Sequence, residues 1–159
     1  MKKIITIITI IFFVSCGMVY AEGYTNASVK GKWAVTSITG ANNSATINLL
    51  TADENGTYTG SGIMNVPGLL MPRRERIETT FSGNYDINPD GTCVMTLTFT
   101  TSTGLSASFN ADGIVTKAEV VDGAKIATVV TGFFDEQMPL LLTGKPGLMT
   151  TFTMTRLPD

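Results

Sequence analysis

The sequence contains no histidine and only two cysteines. The absence of histidine excludes Ser–His triads, zinc sites with imidazole ligands and the side chain that most often acts as a general base near neutral pH. Of the two cysteines, Cys16 lies in an N-terminal leader where it is removed or modified. Cys93 is then left without an intramolecular partner, so we expect no disulfide framework.

Charge is also scarce, since charged residues make up 15% of the chain and its formal net charge is −2. The charge becomes more negative when the leader, with Lys2 and Lys3, is removed. An acidic domain of this kind is unsuited to nucleic acid or an anionic membrane surface as its main partner. We therefore predict no nucleic-acid partner, and the residue types present suggest no metal site and no cofactor.

One long apolar run occurs, at residues 4–14. It is shorter than the roughly 20 residues that span a bilayer, but it has the length of the apolar region of a secretory signal. Val19 and Ala21 provide small residues for cleavage before Glu22. Alternatively, "FVSC" is a loose lipobox that would make Cys16 the lipidated N-terminus. We therefore predict an exported protein, periplasmic or secreted, or else an outer-membrane lipoprotein attached through Cys16.

The rest of the chain shows little helical periodicity and much alternation with a period of two. The segment "CVMTLTFT" (93–100) places cysteine, methionine, leucine and phenylalanine on one face, with valine and threonines on the other. The segments "TFSGNYDI" (80–87) and "TTFTMTR" (150–156) alternate in the same way. Strands of this kind are buried on one side and hydrated on the other, as in an antiparallel sheet.

Turn sequences separate these strands. "DENG" (53–56), "NPDG" (88–91), "NADG" (110–113) and "DG" (122–123) are typical of hairpin turns. The predicted strands are 31–39, 45–52, 57–65, 78–87, 93–101, 105–110, 114–121, 125–134 and 148–156. We predict an all-β fold, an antiparallel up-and-down meander of eight or nine strands closed into a barrel, because closure removes unpaired edges. A β-sandwich is the alternative.

This interpretation divides the chain into three parts. Residues 1–21 form a cleaved signal peptide, 22–30 a short linker and 31–159 a single barrel domain. After the leader, no apolar run is long enough to form a transmembrane helix. Threonine-faced short strands ending in "TRLPD" are also unlike those of a membrane-spanning barrel.

The acidic residues do not form a catalytic pair. In "IVTKAEVV" (114–121), Ile114 and the alternate residues after it form the more apolar face, so Glu119 is expected to point to water. Asp86 is expected outside as well. The aspartates of the turn sequences, Asp53, Asp90, Asp112 and Asp122, are assigned to hydrogen bonds with nearby backbone. We predict no catalytic residues and no enzyme; an isomerase or cyclase barrel would need an inward ionisable cluster.

The inward faces carry bulky apolar side chains. An eight-stranded barrel is either filled by such side chains or holds one small ligand. Gly60, Gly62 and Gly83 fall on the same faces, where glycine leaves room or bends a strand. We predict that a small apolar or amphiphilic molecule is bound by Tyr58, Met64, Tyr85, Met95, Phe99, Phe109, Phe152 and Met154.

Two connections, 65–78 and 135–147, are longer than a hairpin needs and combine apolar residues with prolines. Long loops on a rigid barrel often carry binding function. The first includes "RRER" (73–76), interpreted as a solvated loop, or alternatively as a site for an acidic head group. A second hypothesis is an accessory or inhibitor protein of the cell envelope that contacts another protein through these two loops.

The only tryptophan lies in "GKW" (31–33). This segment resembles the G-x-W motif that opens the first barrel strand of lipocalins and the wider calycin group. In that group an arginine from the last strand packs over the tryptophan, and Arg156 is similar in position. The resemblance implies structural roles for Gly31, Trp33 and Arg156. The spacing of strands and turn sequences also resembles that of exported bacterial barrel proteins without an assigned activity.

Overall fold

The computed structural model describes residues 23–39, 44–67, 74–134 and 150–158. Each of its eight strands is hydrogen-bonded to the next in antiparallel sense, and the last pairs with the first. The fold is therefore an up-and-down barrel, as the alternation and turns predict, and not a sandwich. Its strands are β1 (Gly31–Thr39), β2 (Ser44–Ala52), β3 (Thr57–Pro67), β4 (Arg74–Ile87), β5 (Thr92–Thr101), β6 (Ser106–Val121), β7 (Ala124–Phe134) and β8 (Thr150–Arg156).

The turn predicted at 110–113 is wrong, and the two strands predicted around it form the single long strand β6. Asp112 pairs with Val94 of β5 and with Phe133 of β7, so its backbone belongs to the sheet on both sides. Gly113 is not in a left-handed conformation; a Cβ there would lie 2.8 Å from the sulfur of Cys93. Gly113 therefore leaves room for the inward side chain of Cys93 and does not form a turn.

The face predicted for the second half of β6 is also wrong. Ile114 is exposed, whereas Val115 packs against the core. The register with β7 shifts after Val115, which marks a β-bulge. Beyond it Glu119 is exposed, as expected. The bulge does not account for Ile114, which precedes it; Ile114 faces outward because β6 runs through 110–113 without a turn and keeps the facing of the buried Phe109 and Ala111.

The remaining turns are at the predicted places. Asp122 and Gly123 both have positive φ, of 50° and 84°, as a two-residue type I′ hairpin requires. Gly56 and Gly91 also have positive φ. These three turns lie at one end of the barrel, which we call the closed end. The opposite end carries the connections after β1, β3, β5 and β7.

The first predicted loop is shorter than expected. β3 extends to Pro67 and β4 begins at Arg74, so most of 65–78 is strand. Only 68–73 connects the two strands, and it lies outside the described residues. The second predicted loop, 135–147, lies outside them too, as do the leader 1–21 and Cys16.

Candidate functional site

The closed end is sealed by the tryptophan of β1 and the arginine of β8. Trp33 and Arg156 are register partners, and the guanidinium carbon lies 5.1 Å from the centre of the indole ring. Trp33 is fully buried, and its indole nitrogen donates to the carbonyl of Val29 at 2.8 Å. Arg156 donates to the carbonyls of Ala127 and Ser28, at 2.8 and 3.1 Å. One cation thus joins β1, β7, β8 and the chain before β1.

The segment predicted as a linker, 22–30, contributes to this seal from Gly23 onward. It contains a short 3-10 helix (Asn26–Ser28). The side-chain oxygen of Asn26 accepts from the backbone nitrogen of Ile87 at 3.0 Å, and its carbonyl accepts from the hydroxyl of Tyr85 at 3.0 Å. The hydroxyl of Tyr85 also contacts the carbonyl of Asp53. The segment is therefore part of the barrel, not a spacer.

The other half of the barrel contains a cavity of about 90 Å³. It lies near the ends of β1, β3 and β7 that are remote from the seal, since Ser37, Met64 and Phe134 are among its walls. None of its described lining residues is charged. They are Val35, Ser37, Thr46, Asn48, Leu50, Tyr58, Met64, Thr79, Phe81, Met95, Leu97, Phe99, Ala111, Phe134, Phe152 and Met154.

Six of the eight residues predicted to contact a ligand line this cavity: Tyr58, Met64, Met95, Phe99, Phe152 and Met154. The other two do not. Tyr85 lies at the closed end, beside a void of only about 10 Å³. Phe109 is stacked on Phe99, with ring centres 5.5 Å apart, and supports the cavity wall from behind.

The inward glycines provide space that neighbouring aromatic rings occupy. The ring of Phe81 lies where a side chain at Gly60 would be, and the ring of Phe152 lies over Gly132. The hydroxyl of Tyr58 passes 2.8 Å from the Cβ position of Gly83 and donates to the carbonyl of Thr96 at 2.8 Å. These glycines therefore allow tight packing of rings, and the empty volume lies between those rings.

Sequence reasoning missed the polar part of the cavity wall. Ser37, Thr46 and Asn48 point inward from β1 and β2. Ser37 lies on the face predicted for Trp33, so the alternation contained this information. The sequence analysis did not predict these three residues as ligand contacts. Their side chains are polar, and polar residues on strands normally face water.

The titratable groups in the interior are held in their neutral forms. Burial raises the pKa of the Tyr58 phenol. Burial, and secondarily the charge of Asp53, raise the pKa of Tyr85 to about 12. Burial also raises the pKa of the Cys93 thiol to about 11, with a smaller contribution from Asp112. A thiol of this kind is a poor nucleophile, because the thiolate is the reactive form.

Of the aspartates assigned to turns, Asp53 and Asp90 make the expected hydrogen bonds, Asp122 lies in its turn with positive φ, and Asp112 lies in a strand. Asp53 accepts hydrogen bonds from the backbone of Asn55 and Thr57, and the bonds from Thr57 lower its pKa. Asp90 accepts from the backbone of Thr92, which lowers its pKa. Asp112 is exposed on β6 instead, and Asp86 is exposed as predicted.

The described part of the "RRER" segment is strand, not loop. Arg74 is exposed and donates to the side chain and carbonyl of Asn65, at 2.5 and 3.1 Å. Arg76 is exposed too, and neither lines the cavity. The cavity is therefore not paired with a basic group in the described part of the chain.

The outer wall carries a separate apolar surface. Ile38 of β1 and Ile47 and Leu49 of β2 are more than 60% exposed, and Phe133 of β7 is 42% exposed. Threonines lie between them, since Thr36 pairs with Ile47 and Thr151 with Ile38. We call Ile38, Ile47, Leu49 and Phe133 the outer apolar surface.

Comparison with protein-family models and with curated protein sequences finds no match. The likeness to lipocalins therefore stays a prediction, although the Trp33–Arg156 contact has the geometry that it implies. In the segments that the structure describes, no helix has the length and apolar character needed to cross a membrane. The same segments contain no group of three or more acidic or cysteine side chains arranged to hold a metal ion.

Proposed function

We propose that this protein binds a small, uncharged, apolar molecule inside the barrel and does so without catalysing a reaction. The observation that supports this is the cavity of about 90 Å³ whose walls are mostly methionine, leucine and aromatic side chains. Ligand sites typically combine such walls with a few polar groups. Six of the lining residues are ones that the alternation pattern predicts as ligand contacts.

The cavity is unusual for a packed interior. Protein cores contain few voids larger than a water molecule, and the closed half of this barrel has a void of only about 10 Å³. Side chains that line a cavity of about 90 Å³ lack packing contacts on that side. A bound molecule would recover the lost contacts, which favours binding over imperfect packing.

The dimensions and charge of the cavity limit the ligand. It is smaller than the engineered cavity of about 150 Å³ that holds benzene, so it encloses only a few carbon atoms; a longer ligand would extend out of it. The described lining contains no cation to compensate an ionised carboxylate, whose burial costs several kcal/mol. We therefore favour a neutral ligand over the acidic amphiphile that the "RRER" segment suggested.

The proposed location is the bacterial cell envelope. It rests on the leader at residues 4–14 and on the cleavage sequence that ends at Ala21. Cys16 provides the alternative, a lipid-anchored form. Mass spectrometry of the N-terminal peptide from envelope preparations distinguishes a chain that begins at Glu22 from one that begins with a modified Cys16.

The binding proposal is tested by native mass spectrometry of the protein purified from its own envelope, before and after organic extraction. We expect a reproducible excess mass that extraction removes. Ala111→Leu should abolish this excess, because Ala111 is buried in the cavity wall and the larger side chain fills the space. Ala34→Leu is the matched control, since Ala34 lies on β1 with the opposite facing to Val35, which lines the cavity.

Either of two results would contradict binding in this cavity. One is a wild-type mass with no adduct and no uptake of added small hydrocarbons. The other is an adduct that survives unchanged in Ala111→Leu while thermal unfolding shows the variant to be folded. The second result would place the ligand elsewhere on the protein.

A second candidate is a non-enzymatic accessory protein that works by protein contact. Of the two loops predicted for this role, 65–78 is mostly strand, with only 68–73 outside the described residues, and 135–147 lies outside them entirely. The outer apolar surface is the observation that favours it, because exposed apolar patches mark interaction sites. Photo-crosslinking from position 47 in the intact envelope tests it: a reproducible protein adduct, lost in Leu49→Lys but kept in Thr59→Lys, would support the contact.

A further inference from the structure

The cavity has one polar wall, formed by three neighbouring side chains. The hydroxyl oxygens of Ser37 and Thr46, which are register partners on β1 and β2, lie 2.7 Å apart. The side-chain nitrogen of Asn48 donates to the hydroxyl oxygen of Thr46 at 3.0 Å. All three residues line the cavity.

The carboxamide oxygen of Asn48 is buried without a hydrogen-bond partner among the described residues. It lies over Gly62, its register partner on β3, at the position that a side chain there would occupy. A buried acceptor without a partner costs about 1–3 kcal/mol. The wall therefore presents an acceptor that a donor inside the cavity would satisfy.

The hydroxyl pair presents a donor as well. One of the two hydroxyl hydrogens is used between Ser37 and Thr46, because each hydroxyl has a single hydrogen to donate. The other hydroxyl hydrogen is not used in that bond. The polar wall thus offers an acceptor, on Asn48, close to a hydroxyl donor, which is the complement of a group that both donates and accepts.

We propose that the molecule bound in this cavity carries a neutral hydroxyl group, which donates to the carboxamide oxygen of Asn48 and accepts from the Ser37–Thr46 pair. This proposal rests on the proposed function and adds the chemical class of the ligand, an apolar alcohol. Apart from Thr79, the rest of the lining is apolar or aromatic and would surround the hydrocarbon part. A ketone of the same skeleton would accept from the hydroxyl pair but leave the Asn48 oxygen without a donor.

The experiment compares three probes with the same arrangement of non-hydrogen atoms, namely butan-2-ol, butan-2-one and 2-methylbutane, in which a methyl group replaces the oxygen. Their affinities for the purified protein are measured by NMR chemical-shift titration. We expect butan-2-ol to bind more tightly than butan-2-one by roughly three- to tenfold, the net contribution of one hydrogen bond. Asn48→Leu should remove this preference and leave 2-methylbutane binding intact or stronger, because leucine has a similar shape without the acceptor.

Asn84→Leu is the matched control, the same substitution at an exposed asparagine of β4 that does not line the cavity, and it should keep the alcohol preference. A direct measurement on the wild type covers the case in which Asn48→Leu does not fold. Butan-2-ol should shift the side-chain amide resonances of Asn48, and 2-methylbutane should shift them much less.

The outcomes separate this inference from the function on which it rests. Failure of all three probes to bind would contradict ligand binding in the cavity and the inference with it. Equal affinity for alcohol and ketone, or a preference retained in Asn48→Leu, would overturn the hydroxyl assignment alone. If Asn48→Leu loses the preference for alcohol over ketone but still binds 2-methylbutane, the result would support both ligand binding in the cavity and the hydroxyl assignment.

Discussion

Arg156 is placed against Trp33 across the seam that closes the barrel. The guanidinium lies 5.1 Å from the indole centre and also donates to the carbonyls of Ala127 and Ser28. We expect Arg156→Met to lower the free energy of unfolding by about 2–4 kcal/mol, from the lost cation–π contact and charged hydrogen bonds. Urea unfolding measures this. Arg74→Met, at an exposed arginine, should change stability by less than about 0.5 kcal/mol, and equal losses in both variants would contradict the assigned role.

Gly31 makes the arginine placement possible. Its φ is +135°, and a Cβ there would lie 2.5 Å from a terminal nitrogen of Arg156. Gly31→Ala should therefore be strained and should also displace the guanidinium. Gly104→Ala is the control, because Gly104 has a φ of +85° and no atom of the described residues lies within 4 Å of the added carbon. We expect the thermal unfolding midpoint of Gly31→Ala to be clearly lower than that of Gly104→Ala. Equal midpoints would show that the loss of stability comes from the positive φ alone and not from displacement of Arg156.

Two phenylalanines provide a paired test of the cavity wall. Phe152 is 4% exposed and lines the cavity, whereas Phe133 is 42% exposed on the outer wall. Phe152→Ala should cost about 3–5 kcal/mol of stability and enlarge the cavity, so that the variant takes up larger hydrocarbons such as benzene. Phe133→Ala should cost much less and leave probe binding unchanged. Calorimetric unfolding and NMR titration measure the two effects, and similar results in the two variants would refute the cavity geometry.

Cys93 should be unreactive in the folded protein. Burial raises its pKa to about 11, so at pH 8 almost none of the folded protein carries the thiolate. We expect alkylation by iodoacetamide, followed by mass spectrometry, to be slow in native buffer and complete in concentrated urea. Rapid native alkylation would mean that β5 opens readily at this position.

Alkaline pH should destabilise the barrel through its buried tyrosines. The pKa of Tyr85 is about 12 in the folded protein against 10.0 for an unperturbed tyrosine. The folded state therefore holds this proton more tightly, and stability is unaffected below pH 10 but falls as pH rises from 10 toward 12. Tyr85→Phe should be less stable at neutral pH by about 1–3 kcal/mol and lose less stability between pH 9 and 11. An equally steep loss in this variant would assign the effect to other groups, Tyr58 among them.

The strands could be predicted because their pattern is local. The alternation in 93–100 follows from the geometry of a single strand, which places neighbouring side chains on opposite faces. The turn at Asp122 and Gly123 follows from the ease with which these residues adopt positive φ. Such signals involve a few adjacent residues, and they were sufficient for the strand order, most boundaries and the all-β class.

The errors arose where distant residues decide the outcome. Gly113 has the sequence of a turn but lies within β6, because strands pair with it on both sides and the sulfur of Cys93 needs the space. The register of β6 with β7 shifts twice after Val115, and residues 116–121 are all exposed. Neither effect is visible in the residues of β6 alone.

The sequence by itself determined the alternating strands and the hairpin turns other than the one predicted at 110–113, whereas the pairing of Trp33 with Arg156 was implied only by the resemblance of "GKW" to the G-x-W motif. Only the tertiary structure decided that Asn48 faces the cavity, with no partner for its oxygen among the described residues, and that Tyr85 belongs to the closed end. The physical reason is the range of the interactions. Facing within a strand is set by neighbouring residues, whereas the position of a void depends on how side chains from all the strands fill one interior.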